Sequence, residues 1–274
     1  MAILQAVLVL ATVSRILAAD TKYTGTGSTG LYWDCCKPSC SWTEKGPWLT
    51  HPVQTCKKDD SPLTDFTVGS ACGQGGTAFV CNNQQPWAVN DTFSYGFTST
   101  FIPGASEFDW CCSCYELTFL NGGLEGKRMI VQASNTGYDD PTRTIFGVGA
   151  PGEKDYANGC MDRYNTDGGG FLGTEGRPLT KRSECEELPK PLQQGCFWRF
   201  DWFLDAYKPN MTFERVKCPK ALTDVTGCIR NDEDKFNASA GVKSAATAPY
   251  ASGESFTLLA SSLILAACAL VFNI

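Results

Sequence analysis

Residues 32–42 read YWDCCKPSCSW, a stretch that places three cysteines, one aspartate and two tryptophans within eleven positions. A second dense group, CCSC, follows at 111–114. Adjacent thiols are poorly spaced for a zinc site, so these groups do not indicate a metal. Of the fifteen cysteines, fourteen lie between Cys35 and Cys228, and Cys268 lies near the C-terminus. The even number predicts seven disulfides formed in an oxidising compartment.

Both ends of the chain have the pattern of processed segments. Residues 1–19 contain an apolar run that ends in small residues, which is typical of a secretory signal peptide. Small residues at 244–246, a polar spacer and an apolar tail over 256–274 form the layout of a GPI-anchor signal. We therefore expect a secreted protein held at the plasma membrane, cell surface or cell wall by a lipid on Ser244. A transmembrane helix over the tail is the alternative, although no Lys or Arg follows it.

The region between these ends is expected to form one monomeric domain over 20–235, followed by a polar linker and anchor-attachment region over 236–255. No Pro- or Ser-rich linker divides it. The net charge of −6, without a basic stripe, argues against nucleic acid as a partner. Three N-glycosylation sequons, at Asn90, Asn210 and Asn237, suit an extracellular surface.

Local patterns predict a mainly β domain with long loops and a few short helices. Strand-like segments rich in aromatic and β-branched residues occur at 115–119, 127–132, 196–203 and 211–218. Short helices are predicted at a capping box formed by Ser183 and Glu186, and from Pro219 to Thr226. The glycines at 25, 27 and 30 match a dinucleotide-binding fingerprint. They follow a signal peptide rather than a strand, so we interpret them as a flexible N-terminal lead.

The residue inventory narrows the chemistry. His51 is the only histidine, which excludes Ser-His and Cys-His nucleophilic machinery and most histidine-built metal sites. Carboxylate acid-base catalysis remains, and it needs no cofactor. Seven Trp, nine Tyr and sixteen Phe offer flat surfaces on which sugar rings stack, although such residues are more often core.

The stretch at 32–42 resembles the active-site signature of glycoside hydrolase family 45, the small secreted endo-β-1,4-glucanases of the cellulase type. The resemblance continues through residues 86–91, 110–119, 195–203 and 228–232, and so spans the domain. It implies a six-stranded double-psi β-barrel with disulfide-stapled loops and a groove for a cellulose or β-glucan chain. It also implies seven disulfides: Cys35-Cys160, Cys36-Cys72, Cys40-Cys111, Cys56-Cys81, Cys112-Cys228, Cys114-Cys218 and Cys185-Cys196.

Members of this family invert the anomeric centre with two carboxylates, a base that activates water and an acid that protonates the leaving oxygen. The resemblance makes Asp34 the base. It makes Tyr32, Trp33 and Trp42 the residues that shape the sugar subsites, while packing against the disulfides is the alternative for both tryptophans. An Asp before Cys35 is alternatively a turn residue.

The acid position is not matched. Gly147 stands where the family has its acid, or Phe146 if a short gap is placed differently, and neither donates a proton. Asp139, in a segment that matches a family loop with an assisting aspartate, and its neighbour Asp140 are the candidate replacements. Two functions follow as hypotheses: a glucanase with impaired turnover, and a non-catalytic glucan-binding or wall-loosening protein.

Overall fold

The structure, a computed structural model, describes residues 21–137, 142–152, 159–164 and 179–239. Several features expected from the sequence lie outside these ranges: the signal peptide, Asp139, Asp140, the attachment residue Ser244 and the apolar tail. None of the helices within the ranges is long and apolar enough to cross a membrane.

Nine strands are described: β1 (Thr24–Tyr32), β2 (Thr55–Cys56), β3 (Phe79–Val80), β4 (Trp87–Asn90), β5 (Phe93–Phe101), β6 (Cys114–Phe119), β7 (Arg128–Thr136), β8 (Ile145–Gly149) and β9 (Asn210–Val216). Six of them form a closed barrel in the order β5-β7-β6-β9-β1-β8, because β8 pairs back to β5. The β1/β8 and β5/β7 pairs are parallel and the other four are antiparallel. This confirms the expected mainly β, six-stranded barrel.

The helices of the described ranges are short: α1 (Glu107–Trp110), α2 (Cys160–Tyr164), α3 (Gln193–Asp201) and α4 (Lys220–Thr226). Short 3₁₀ segments occur at Ser39–Ser41, Gly122–Leu124, Arg182–Glu187, Lys190–Leu192 and Glu233–Lys235. Helix α4 begins after Pro219 and ends at Gly227, whose φ of 65° is the left-handed cap that favours glycine. The helix expected around Ser183 is the 3₁₀ segment Arg182–Glu187, and its capping box uses Lys181 and Glu184 instead.

Two interpretations of local sequence are wrong. Residues 196–203 were expected to form a strand, but they lie largely in helix α3. Trp198 and Trp202 are four residues apart, and their rings stack at a centroid distance of 5.6 Å on the buried side of that helix. The alternation of aromatic residues with Arg199 and Asp201 therefore mimicked a strand pattern.

The glycine-rich segment at 25–30 is not a flexible lead. It lies in β1, paired to β9 along one edge and to β8 along the other. A Cβ on Gly25 would come within 2.9 Å of the Phe213 ring, and one on Gly27 would collide with the Thr144 carbonyl. Glycine is used here for close approach inside the barrel, a requirement that local periodicity does not show.

Aromatic side chains fill the barrel interior. Tyr115 on β6 lies 5.0 Å from Phe146 on β8, and Phe146 lies 5.3 Å from Phe213 on β9, measured between ring centroids. All three side chains are buried. The loops outside the barrel are held by the seven disulfides that the family resemblance implied, and each of those pairs is present.

Candidate active site

Asp34 lies just beyond the end of β1, where the last residue pair of the parallel β1/β8 ladder is Tyr32 with Gly149. The backbone N–H of Cys36 donates a 2.9 Å hydrogen bond to Asp34 Oδ1. Burial raises the pKa of Asp34 to about 6, although this hydrogen bond acts to lower it. The carboxylate therefore gains and loses its proton close to neutral pH, as a general base does.

Tyr32 stands beside Asp34 and stays neutral. Burial, and then the negative charge of Asp34, raise the pKa of the Tyr32 hydroxyl, while hydrogen bonds from Asn135 and Ser134 act to lower it. Asn135 Oδ1 accepts a 2.9 Å hydrogen bond from the backbone N–H of Ser39, which places the amide between the Ser39–Ser41 turn and Tyr32. The sequence analysis missed Ser134 and Asn135, because nothing local marks strand β7 as a wall of this site.

Trp42 is partly exposed, and its indole ring has a cation on one face. Lys37 Nζ lies 3.5 Å from the ring centroid. The same ammonium group donates hydrogen bonds to the carbonyls of Phe66, at 2.6 Å, and Val68, at 2.9 Å. Lys37 therefore fixes Trp42 against a neighbouring loop, and a sugar that stacks on this ring would have to use its other face.

Trp33 differs from Trp42, since only 2% of its surface is exposed. It packs in a cluster with the Cys35-Cys160 disulfide, Phe79 and Val80. This is the packing alternative considered for it, and its direct contact with a sugar stays a prediction. The indole N–H has no hydrogen-bond partner in the described part of the chain.

Gly147 lies on β8 between Gly30 on β1 and Ser99 on β5. A Cβ built on Gly147 would lie 3.3 Å from Tyr32 Cδ1 and in close conflict with Ser99 Oγ. A side chain at 147 would thus point toward the tyrosine next to Asp34. Phe146 is fully buried among the aromatic rings of the barrel core.

Glu107, a carboxylate that the sequence analysis did not single out, belongs to a polar network beside the Ser39 turn. Ser39 Oγ donates to Thr136 Oγ1 at 2.9 Å, and Thr136 Oγ1 donates to Glu107 Oε1 at 2.7 Å. Burial acts to raise the pKa of Glu107, but hydrogen bonds from Lys45 and Thr136 hold it below its ordinary value. Glu107 is therefore ionised at neutral pH and is a poor proton donor.

The three asparagines of the predicted glycosylation sequons lie at the surface. Asn90, Asn210 and Asn237 are all exposed, and their glycosylation stays a prediction. Within the described ranges no group of three or more His, Cys, Asp or Glu side chains could hold a metal.

The sequence matches the family model of glycosyl hydrolase family 45 over residues 26–229. A putative endoglucanase type K of Fusarium oxysporum is 45% identical over 221 residues, which cover 81% of this chain and 58% of that protein. An endoglucanase of Cryptopygus antarcticus is 41% identical over 216 residues, covering 78% of this chain and 94% of that protein. The chain therefore spans little more than half of the first relative and nearly all of the second.

The fold is similar to the crystal structure of the cellulase from the Antarctic springtail Cryptopygus antarcticus. The TM-score is 0.69 and the sequence identity is 40%, with 76% of this chain and 98% of that chain covered. Sequence and fold thus agree on the same group of glycoside hydrolases.

Proposed function

Because the chain belongs to glycosyl hydrolase family 45, we propose that it is a cell-surface endo-β-1,4-glucanase that hydrolyses cellulose or a related β-glucan with inversion and with weak turnover. The observation that carries this proposal is Asp34, a carboxylate with a pKa of about 6 at the end of a barrel strand. Above that pH, Asp34 accepts a proton from a water whose oxygen attacks the anomeric carbon. The bond to the leaving glucosyl oxygen breaks, and that oxygen takes a proton from a general acid.

The general acid is the weak part of this site. Gly147 faces Tyr32 but brings no carboxylate, and Glu107 is held in its ionised form. We assign the proton to Asp139 or Asp140, because they follow Gly137 by two and three positions in the chain. Gly137, like Gly147, lies against Ser99. General-acid catalysis contributes about 10²–10⁴ in rate. A proton donor at a position other than that of the family's acid therefore predicts a slow enzyme.

Sugar binding is assigned to Tyr32, Trp33 and Trp42. Tyr32 offers a neutral hydroxyl and Trp42 a partly exposed ring, whereas the burial of Trp33 favours a supporting role behind the groove. The alternative function, a non-catalytic glucan-binding or wall-loosening protein, is favoured by one observation, the glycine at the acid position.

The two functions differ in what the purified protein does to soluble glucans. The glucanase releases reducing ends from carboxymethyl-cellulose and mixed-linkage β-glucan, and NMR of the first product detects the α-anomer expected for inversion. The Asp34→Ala variant is the control, and its activity should be lost. Binding to both polymers with no release above that of Asp34→Ala would establish the alternative.

We place the protein at the plasma membrane as a GPI-anchored monomer, with residues 236–255 as the linker and attachment region. The layout of the C-terminal residues supports this placement. An enzyme held at the surface in this way acts on glucan close to the cell that produces the enzyme.

A further inference from the structure

A small cavity lies behind Asp34. Its walls include Tyr32, Trp33, Asp34, Gln84, Ser134 and Asn135. Its volume of about 10 Å³ accommodates about one water molecule.

Two residues on these walls carry buried polar atoms without a partner. Trp33 Nε1 is a donor and Gln84 Oε1 is an acceptor, and neither has a hydrogen-bond partner in the described part of the chain. Trp33 and Gln84 are each 2% exposed. A buried polar atom without a partner costs free energy, so two of opposite type beside one cavity indicate a ligand that both accepts and donates.

The orientation of the Gln84 amide is determined by its other end. Its Nε2 donates a 2.7 Å hydrogen bond to the carbonyl of Gln54, which can only accept. The backbone N–H of Gln84 is bonded to the carbonyl of Cys81 at 3.1 Å. The amide oxygen is therefore the end that remains to be satisfied. Asp34 is similarly half-engaged, since its carboxylate accepts one hydrogen bond within the described part of the chain, at Oδ1.

We propose that this cavity holds a buried structural water, which accepts a hydrogen bond from Trp33 Nε1 and donates to Gln84 Oε1 and to the Asp34 carboxylate. Trp33 and Gln84 are then positioning residues for the water. The hydrogen bond to this water fixes the orientation of the Asp34 carboxylate, which takes its proton from a different water, the one that attacks the sugar. The proposal rests on the proposed role of Asp34 as the base.

The test uses variants that remove one hydrogen bond each. Trp33→Phe deletes the indole N–H and keeps an aromatic ring, and Gln84→Met deletes the amide oxygen at similar volume. We expect each change to lower kcat about tenfold or more with KM nearly unchanged. The double variant should lose little more than either single variant, because both residues hold the same water.

Matched controls are available in the same chain. Gln85 is also buried, but its amide oxygen is bonded to the N–H of Gly195 at 2.9 Å. Trp198 is buried, and its indole N–H donates to Ser94 Oγ at 2.8 Å. Gln85→Met and Trp198→Phe therefore measure how much such substitutions perturb the fold in general. They should leave kcat close to the wild-type value.

Two readouts do not depend on turnover. A high-resolution crystal structure should show an ordered water within hydrogen-bond distance of Trp33 Nε1 and Gln84 Oε1, and carboxyl NMR should show a higher Asp34 pKa in Trp33→Phe, because the carboxylate loses its solvating water. A dry cavity, or an unchanged Asp34 titration together with wild-type kcat in both variants, overturns the proposal. Full activity of Asp34→Asn would instead refute the proposed base, which separates the two failures.

Discussion

Gly147 on β8 pairs with Ser99 on β5, and the Ser99 hydroxyl occupies the space into which a side chain at 147 would extend. An acid introduced at this position must therefore displace Ser99 Oγ before it can reach the groove beside Tyr32. This relationship constrains how an acid can be introduced at 147, the position that the family resemblance gives to the general acid.

Introducing an acid at 147 requires two changes. We expect Gly147→Asp to raise hydrolysis modestly and Gly147→Asp with Ser99→Ala to raise it by up to about 10²–10⁴, because the second change removes the conflicting hydroxyl. Initial rates on carboxymethyl-cellulose measure this, with Ser99→Ala alone as the control. No gain in the double variant would mean that position 147 is not the place of the missing acid.

Substitution of each candidate aspartate by asparagine tests which one is the replacement acid. Asp139→Asn and Asp140→Asn each preserve the shape of the side chain and remove its titrating group. The kcat of the variant that loses the acid should therefore fall by about 10²-fold or more. The other serves as its matched control. Wild-type activity in the double Asn variant would shift the assignment to another carboxylate, for which Glu153 and Asp155, outside the described ranges, come next.

The pH dependence of kcat/KM should reflect the titration of Asp34. A general base must be deprotonated, and burial raises the pKa of this carboxyl to about 6. We therefore expect kcat/KM to fall about tenfold per pH unit below about pH 6 and to level off above it. Rates between pH 4 and 8 measure this limb. A limb centred near pH 4 would show an Asp34 that is solvated like an ordinary aspartate.

Asp34 should also destabilise the fold at neutral pH. Its folded pKa is about 6 against an ordinary 3.8, so the folded state holds the proton more tightly than the unfolded chain. The tighter binding of the proton stabilises the folded state fully below the ordinary pKa of 3.8. This stabilisation is lost as the pH rises through 6, which lowers the free energy of unfolding by about 2–3 kcal/mol. We expect Asp34→Asn to unfold in urea at a higher midpoint than the wild type at pH 7. At pH 3, where both side chains are neutral, the midpoints should nearly coincide.

The lipid anchor predicts release by a phospholipase. Cells that express the full chain should lose the protein to the medium after treatment with phosphatidylinositol-specific phospholipase C, because the anchor is the only attachment expected. A known GPI-anchored protein serves as the positive control. Retention in the membrane fraction while that control is released would favour a transmembrane tail.

The sequence by itself determined the disulfide-rich character of the domain and the family, and it predicted Asp34 as the base. These rest on local chemistry: an even set of cysteines, a dense motif around Asp34, and a single histidine that leaves carboxylates as the available catalysts. Such features are readable because each depends on which residues are neighbours along the chain. The same reasoning failed at residues 196–203 and at the glycines of β1, where packing against distant strands decided the conformation.

Only the tertiary structure decided which residues surround Asp34. Gln84, Ser134 and Asn135 are 50 to 101 positions away in the chain, and barrel closure brings them to the wall of one cavity. Tertiary packing also separated the two tryptophans of the motif, burying Trp33 against a disulfide while leaving Trp42 partly exposed under Lys37. Burial depends on what packs against a residue in three dimensions. So do the raised pKa of Asp34 and the atoms of Trp33 and Gln84 that lack a hydrogen-bond partner in the described part of the chain.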